Sequence, residues 1–230
     1  MEFWAGLSPL TFVFLSRILF IGRFILLFRS LFVLFVFVVF FVLAVWILWG
    51  NTALELNKHT VKSKYLPKAF DGFRIVQVSD LHNTEIGKDN EKLLSVIKAA
   101  KPDIIAVTGD IVDSRKTDLE ISLEFVRNAV RIAPCYYVTG NHESRIEECT
   151  LLLDELRNIG VTVLRDEKIA LEKDTEKITV AGVDDPYFAT DFLFDDEEAV
   201  MASKLSRLEL SEEEFTVLLS HRPELFEVYS

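Results

Sequence analysis

The chain has 230 residues, half of them hydrophobic, which is enough for one domain and an appendage. Setting aside Arg17, Arg23, Arg29 and Glu2, the only charged residues before position 51, leaves 22 Lys+Arg against 35 Asp+Glu, a net charge of −13 for residues 51–230. A domain this acidic repels a phosphate backbone, so nucleic acid is excluded as a partner, whereas a small phosphate ester held by metal is not. The oligomeric state leaves no trace in the composition.

Residues 1–50 hold 11 of the 19 Phe and all three Trp. Residues 31–49 are nineteen consecutive apolar residues, about the length that crosses a hydrocarbon core. The run is longer than the apolar region of a signal peptide and no small-x-small cleavage site follows it. It is read as a single-pass membrane helix with Trp46 and Trp49 at one interface, within an anchor over residues 1–50. The stretch before it carries Arg17 and Arg23 and is read as a basic lead-in. A second crossing, with Arg29 and Ser30 as the turn, is the alternative. Arginines on one side and Lys58, Lys62, Lys64 and Lys68 on the other nearly balance. The domain beyond is placed outside the cytoplasm. Residues 51–70 form a polar, Lys-rich tether in which His59 is a solvated histidine.

From Asp71 strands and helices alternate. Strands are predicted at 73–79, 104–107 and 136–138, and helices at 90–100, 119–132 and 147–158, the last stopped by Gly160. Shorter strands follow at 161–164, 169–172 and 177–181. A strand at 215–219 and a helix from Pro223 to Tyr229 complete an α/β domain over residues 71–230. Asp195, Asp196, Glu197 and Glu198 read as the solvated start of a helix, and Asp184 and Asp185 before Pro186 as turn formers. Cys135 and Cys149 form no CxxC and are read as two unpaired thiols.

Four short motifs sit at or just past the carboxyl ends of predicted strands: Asp80-Leu81-His82, Gly109-Asp110, Gly140-Asn141-His142-Glu143, and Ser220-His221. In open α/β sheets that edge is where ligands bind. Two carboxylates, an amide oxygen and imidazoles form the mixed O/N set that divalent metals take. Each motif alone is weak; four in order, at helix-spaced intervals, point to a metal site and a hydrolase of phosphate esters. Glu143 caps or orients its loop, and Asn83 and Arg145 are candidates for substrate contact.

This motif set, over about residues 60–230, resembles the calcineurin-like metallophosphoesterases, and the Ser79-Asp80-Leu81-His82-Asn83 opening resembles their membrane-anchored bacterial branch. The resemblance implies a four-layer α/β/β/α sandwich with two divalent ions, Mn, Fe or Zn, at the sheet edge. It makes Asp80 and His82 ligands of the first ion, Asp110 the bridge, and Asn141 and His221 ligands of the second. His142 is then catalytic, steadying charge on the scissile phosphate or protonating the leaving oxygen. A hydroxide shared by the ions attacks phosphorus in line. The expected activity is cleavage of a phosphodiester or pyrophosphate bond, in a substrate that a membrane tether suggests is lipid-linked. One alternative is a pyrophosphatase acting on UDP-2,3-diacylglucosamine in lipid A synthesis. The family's later Gly-His-x-His stretch is not among these residues. The resemblance therefore also implies a domain incomplete at its carboxyl end, and a second alternative is a truncated, inactive membrane-bound relative.

Overall fold

The computed structural model describes residues 9–52, 54–189 and 196–229. Two compact units divide the chain between Glu55 and Leu56. The first is built on one helix, α1 (Pro9–Thr52), 44 residues long. It is continuous through Arg29 and Ser30, so the two-crossing alternative is not what forms. No Gly-Pro pair or polar cluster interrupts the backbone ladder at that point. At the helical rise α1 is about 66 Å long, roughly twice a hydrocarbon core. No residue of its most apolar stretch, within Leu19–Ile47, is buried. Trp46 and Trp49 are both exposed.

The second unit begins with an exposed run that includes Lys58, His59, Lys62, Lys64 and Lys68. Phe70 is the first buried side chain. β1 (Ile75–Val78), β2 (Ile104–Thr108), β3 (Cys135–Val138) and β4 (Thr162–Val163) form a parallel sheet in sequential order. They alternate with α2 (Glu91–Ala100), α3 (Leu119–Ala129) and α4 (Cys149–Ile159). Asp118 caps α3 by accepting from the Glu120 amide at 3.2 Å. α4 ends as expected at Gly160, where φ is 102° and the glycine amide reaches back to the Arg157 carbonyl. A second sheet holds β5 (Glu167–Lys173), β6 (Glu176–Gly182) and β7 (Thr216–Leu219), with β5 antiparallel and β7 parallel to β6. α5 (Glu197–Leu208) is capped by Asp196, whose carboxylate accepts from the Glu198 amide, in line with the expected helix start. Asp195 lies outside the described residues. α6 (Phe226–Tyr229) ends the described chain after a 3-10 turn over Pro223–Leu225.

Side-chain alternation along the strands builds the layers. In β2, Ile105 and Val107 face a core shared with α2, α3 and α4, while Ile104 and Ala106 face the opposite way. Tyr137 and Tyr136 divide between the same two cores in β3. The inter-sheet core then joins Ile104, Ala106, Val138 and Leu164 to Val180 and Leu219 of the second sheet. A third core sets Ala181 and Val183 against Met201 and Leu208 of α5 and against Leu225. The order is helix, sheet, sheet, helix, the four-layer arrangement expected. Cys135 is buried and Cys149 half-buried, and neither is in a disulfide. Burial pushes the Cys135 thiol up to about 12.

The sheets approach closely at Gly182. A Cβ there would lie 2.5 Å from Leu164 Cβ and 2.6 Å from Val138 Cγ1. Both obstacles are branched core side chains with no room to retreat. Gly182→Ala is therefore expected to remove about 1–3 kcal/mol of stability, read as a lower denaturation midpoint at unchanged slope.

Candidate metal centre

Parallel strands deliver their carboxyl ends to one edge, and the polar motifs lie there. The loop after β1 carries Asp80 and His82, and the loop after β2 carries Asp110. The loop after β3 carries Asn141 and His142, and the loop after β7 carries His221. The first two turn sharply through left-handed residues: φ is 55° at Asp80, 48° at His82, 57° at Asn83, 84° at Gly109 and 52° at Asp110. Asp, Asn and His tolerate this region better than most residues, and backbone pairing holds them in it. The Asp80 amide donates to Gly109 O at 3.2 Å, the His82 amide to Asp110 O at 3.0 Å, and the Asn83 amide to Ile111 O at 3.1 Å. Gly109 serves a second purpose. A Cβ on it would lie 2.5 Å from the Gly140 amide nitrogen, so the third loop could not close on the second.

Glu143 joins those two loops. Its side chain is fully buried. Oε2 accepts from the amides of Gly140 at 2.7 Å and Asp110 at 2.9 Å, and Oε1 accepts from Ile111 at 2.9 Å. Val112 adds a longer contact at 3.5 Å. Burial, reinforced by the nearby charge of Asp110, raises the Glu143 carboxyl, while the amide donors pull it back. The expected capping role of Glu143 is thus met in a wider form: one carboxylate supplies acceptors to two loops.

Asp110 sits at the centre. Oδ1 accepts from the His142 amide at 2.8 Å. Oδ2 faces three imidazoles: His221 Nε2 at 3.3 Å, His82 Nε2 at 3.8 Å and His142 Nε2 at 4.0 Å. Asp80 Oδ1 lies 3.5 Å from His82 Nε2. Burial opposes ionisation of Asp110, but the His221 hydrogen bond and the His142 amide hold it below the usual carboxylate range. The ligand atoms of Asp80, Asp110 and His221, and separately those of His82, Asp110 and His142, lie within 4.8 Å of one another. Donors bound about 2.0–2.2 Å from a common ion stand roughly 3–3.5 Å apart, the spacing of His221 Nε2 and Asp110 Oδ2 at 3.3 Å and of His82 Nε2 and Asp80 Oδ1 at 3.5 Å. Asn141 follows Gly140 on the same loop, and its carboxamide has no hydrogen-bond partner among the described residues. The residues present therefore fit divalent metal.

The second ring nitrogens separate the histidines by role. His221 Nδ1 lies 2.8 Å from the Thr108 carbonyl, which can only accept, so Nδ1 keeps a proton and Nε2 is the nitrogen that carries the lone pair once the ring is neutral. A metal-binding histidine is oriented in the same way. His142 is the reverse. Its Nδ1 accepts from the Ser114 amide at 2.9 Å, so the neutral ring carries its proton on Nε2. A protonated Nε2 is a donor and not a ligand, although its distances alone would group His142 with His82. Burial lowers His142, favouring the neutral ring. In His221 burial works against the charged form, yet the bonds to Asp110 and Thr108 raise it to about 9. That proton must leave before Nε2 can hold a metal.

Asp184 and Asp185 do more than turn the chain. Both are buried. Asp184 accepts from Thr139 Oγ1 at 2.8 Å and from Arg165 Nη2 at 2.7 Å. Asp185 pairs with Arg222, Nε to Oδ2 at 2.5 Å and Nη2 to Oδ1 at 3.1 Å, and caps the turn at Tyr187. The expected turn role holds for Asp185, while the ion pair that fixes the residue after His221 was invisible because 37 residues separate the partners. Asn83, one of the two candidates for substrate contact, is engaged within the protein. Its carboxamide donates to Lys116 O at 2.7 Å and accepts from Ser122 Oγ at 3.1 Å, so both ends are occupied. Arg145 is exposed, with its guanidinium 4.9 Å from the centre of the Tyr187 ring.

Residues 73–229, more than half of the chain, match the family model described as calcineurin-like phosphoesterase. The chain belongs to the calcineurin-like phosphoesterase family. Among curated relatives in the family, a Bacillus subtilis protein named "Uncharacterized metallophosphoesterase YkuE" is 32% identical over 178 residues, covering 74% of this chain and 58% of that protein. A Danio rerio protein named "Transmembrane protein with metallophosphoesterase domain" is 26% identical over 125 residues, covering 52% of this chain and 29% of that protein. The chain thus spans less than two thirds of these relatives. The crystal structure of phosphopantetheinyl hydrolase from Mycobacterium tuberculosis aligns with 65% of this chain and 56% of its own at 19% identity, with a TM-score of 0.37.

Glu143→Gln tests the loop tie. The Gln amide nitrogen donates where a backbone amide already donates, leaving at least one buried N–H without an acceptor. We expect a loss of about 2–3 kcal/mol in chemical denaturation, with secondary structure intact by circular dichroism.

Proposed function

We propose that this chain carries the catalytic domain of a membrane-tethered, metal-dependent phosphoesterase that hydrolyses a phosphodiester or pyrophosphate bond. The observation that carries this reading is the buried Asp110 Oδ2, faced by three imidazole nitrogens 3.3–4.0 Å away in a chain of this family. Asp80, His82 and Asp110 would hold one divalent ion, and Asp110, Asn141 and His221 the other, with Mn, Fe or Zn suited to this O/N set. When bound, such ions supply Lewis acidity toward phosphoryl oxygens and a nucleophile at neutral pH.

The chain's own residues set the geometry. Glu143 fixes the Asp110 backbone, and the Asp110 side chain is steadied by the His142 amide, leaving Oδ2 free to face the centre. Thr108 O orients the His221 ring. His142 holds its proton on Nε2, pointed toward the centre. As a neutral ring whose Nδ1 is already an acceptor, it serves as a hydrogen-bond donor to a phosphoryl or leaving oxygen. A role as general acid would require protonating Nδ1 against the Ser114 amide. The helix α1, with transmembrane-named relatives as support, is the single-pass anchor, and we place the acidic domain outside the cytoplasm.

The full chain in detergent should hydrolyse bis(p-nitrophenyl) phosphate with Mn²⁺ and lose that activity to EDTA. Asp110→Asn should lower turnover at least about 100-fold. Hydrolysis that persists in EDTA, or in Asp110→Asn, would defeat the proposal.

His142 and His221 should fail differently. His142→Ala is expected to cut kcat about 10²–10³-fold with Mn²⁺ affinity by calorimetry nearly unchanged. His221→Ala should weaken Mn²⁺ binding itself, about tenfold or more.

A further inference from the structure

We infer that Arg145 is an anion-recognition residue, taking a second, non-reacting phosphoryl group that the substrate carries next to the scissile phosphate. This rests on the phosphoesterase reading above and narrows its substrate class to pyrophosphate-linked esters.

Three observations lead there. The first is position. Arg145 ends the 3-10 turn Glu143–Arg145 that directly follows His142, and its amide donates to the His142 carbonyl at 3.1 Å. The second is the platform beneath it. The Tyr187 ring lies 4.9 Å from the guanidinium carbon of Arg145 and equally 4.9 Å from that of Arg222, the residue after His221. One aromatic ring thus bridges the loop of His142 and the loop of His221. The backbone that carries the ring is fixed, because the Asp185 carboxylate caps the Tyr187 amide at 2.9 Å.

The third observation is charge. The two arginines on this ring are not equivalent. Arg222 is largely buried and neutralised by Asp185, Glu224 and Glu197. Arg145 is exposed, and among the described residues its guanidinium has no carboxylate or carbonyl partner. In a domain with 35 acidic side chains against 22 basic ones, an arginine held on an aromatic face with no acidic partner among the described residues is placed for an anion from outside. A guanidinium forms paired hydrogen bonds with phosphoryl oxygens, and stacking on an aromatic ring leaves its edge available to do so. Stacking also removes much of the rotamer freedom that an exposed arginine would otherwise lose on binding.

Pyrophosphate-linked substrates place their second phosphoryl group directly beside the reacting one, which is where a residue one turn beyond His142 can meet it. A substrate carboxylate could use the same donors but lacks that fixed adjacency.

The test is calorimetric. The full chain in detergent, equilibrated with Mn²⁺, is titrated with methylphosphonate and with methylenediphosphonate, neither of which is hydrolysed, against blanks of Mn²⁺ alone. The original chain should bind the diphosphonate at least about tenfold more tightly than the monophosphonate. Arg145→Ala should bring the two within about twofold by weakening the diphosphonate alone, and Arg145→Lys should restore part of the preference. An unchanged preference in Arg145→Ala overturns the inference. So does an equal loss for both ligands, which would make Arg145 a support for Tyr187. In a parallel titration with malonate, binding weakened by Arg145→Ala while diphosphonate binding is unchanged would assign the donors to a carboxylate and also overturn it. Failure of the original chain to bind either phosphonate would remove the phosphoesterase reading itself, and this inference with it.

Discussion

The buried carboxylate of Glu143 is the constraint on which the rest of the site depends. Loops at the ends of parallel strands carry amides with no partner in the sheet, and at this edge they are buried. Glu143 accepts from amides on both sides of the cleft between the β2 and β3 loops. Without it those N–H groups would be orphaned, and two or three such groups cost as much as a good part of a domain's net stability. Asp110 is placed as a consequence, since its own amide is one of the donors. The two glycines make the approach possible: Gly109 has no Cβ to strike Gly140, and Gly140 none to strike Asp110.

From Asp110 outward the site is organised by hydrogen-bond polarity. Thr108 O and Ser114 N–H are both backbone groups, one acceptor and one donor, and they leave His221 and His142 with opposite nitrogens protonated. Two imidazoles that face the same carboxylate oxygen are thereby suited to different work, one to coordinate and one to donate. Ion pairs of Asp184 with Arg165 and of Asp185 with Arg222 brace the loops after β6 and β7, and the Thr139 hydroxyl on Asp184 ties them to the first sheet. The domain's strong negative charge would be no obstacle to a phosphate ligand, because divalent cations held at this edge would reverse the local sign.

Much of this was legible in the sequence. Strands β1 to β3 showed as short β-branched or aromatic runs, and helices α2 to α4 as apolar residues at helical spacing, the last stopped by Gly160. Asp80, His82, Asp110, Asn141, His142 and His221 stood out because each motif falls where a strand ends, and the fold brings those ends to one edge. What could not be read was anything set by partners distant in the chain. The Asp185–Arg222 pair, the full engagement of Asn83 by Lys116 and Ser122, and the opposite histidine tautomers all depend on which backbone groups tertiary packing brings close. The uninterrupted path of α1 through Arg29 was likewise undetermined, since arginines near a possible turn suit a helix as well as a break.

The central claim is that Asp110 bridges two cations while His142 coordinates neither. Its most direct test is a crystal of the Mn²⁺-loaded chain with an anomalous difference map collected at the manganese edge. Two peaks flanking Asp110 Oδ2 are expected, one within bonding distance of His82 Nε2 and one of His221 Nε2, with His142 Nε2 outside both shells. A peak bonded to His142, or no peak at Asp110 in crystals that bind manganese elsewhere, would contradict it.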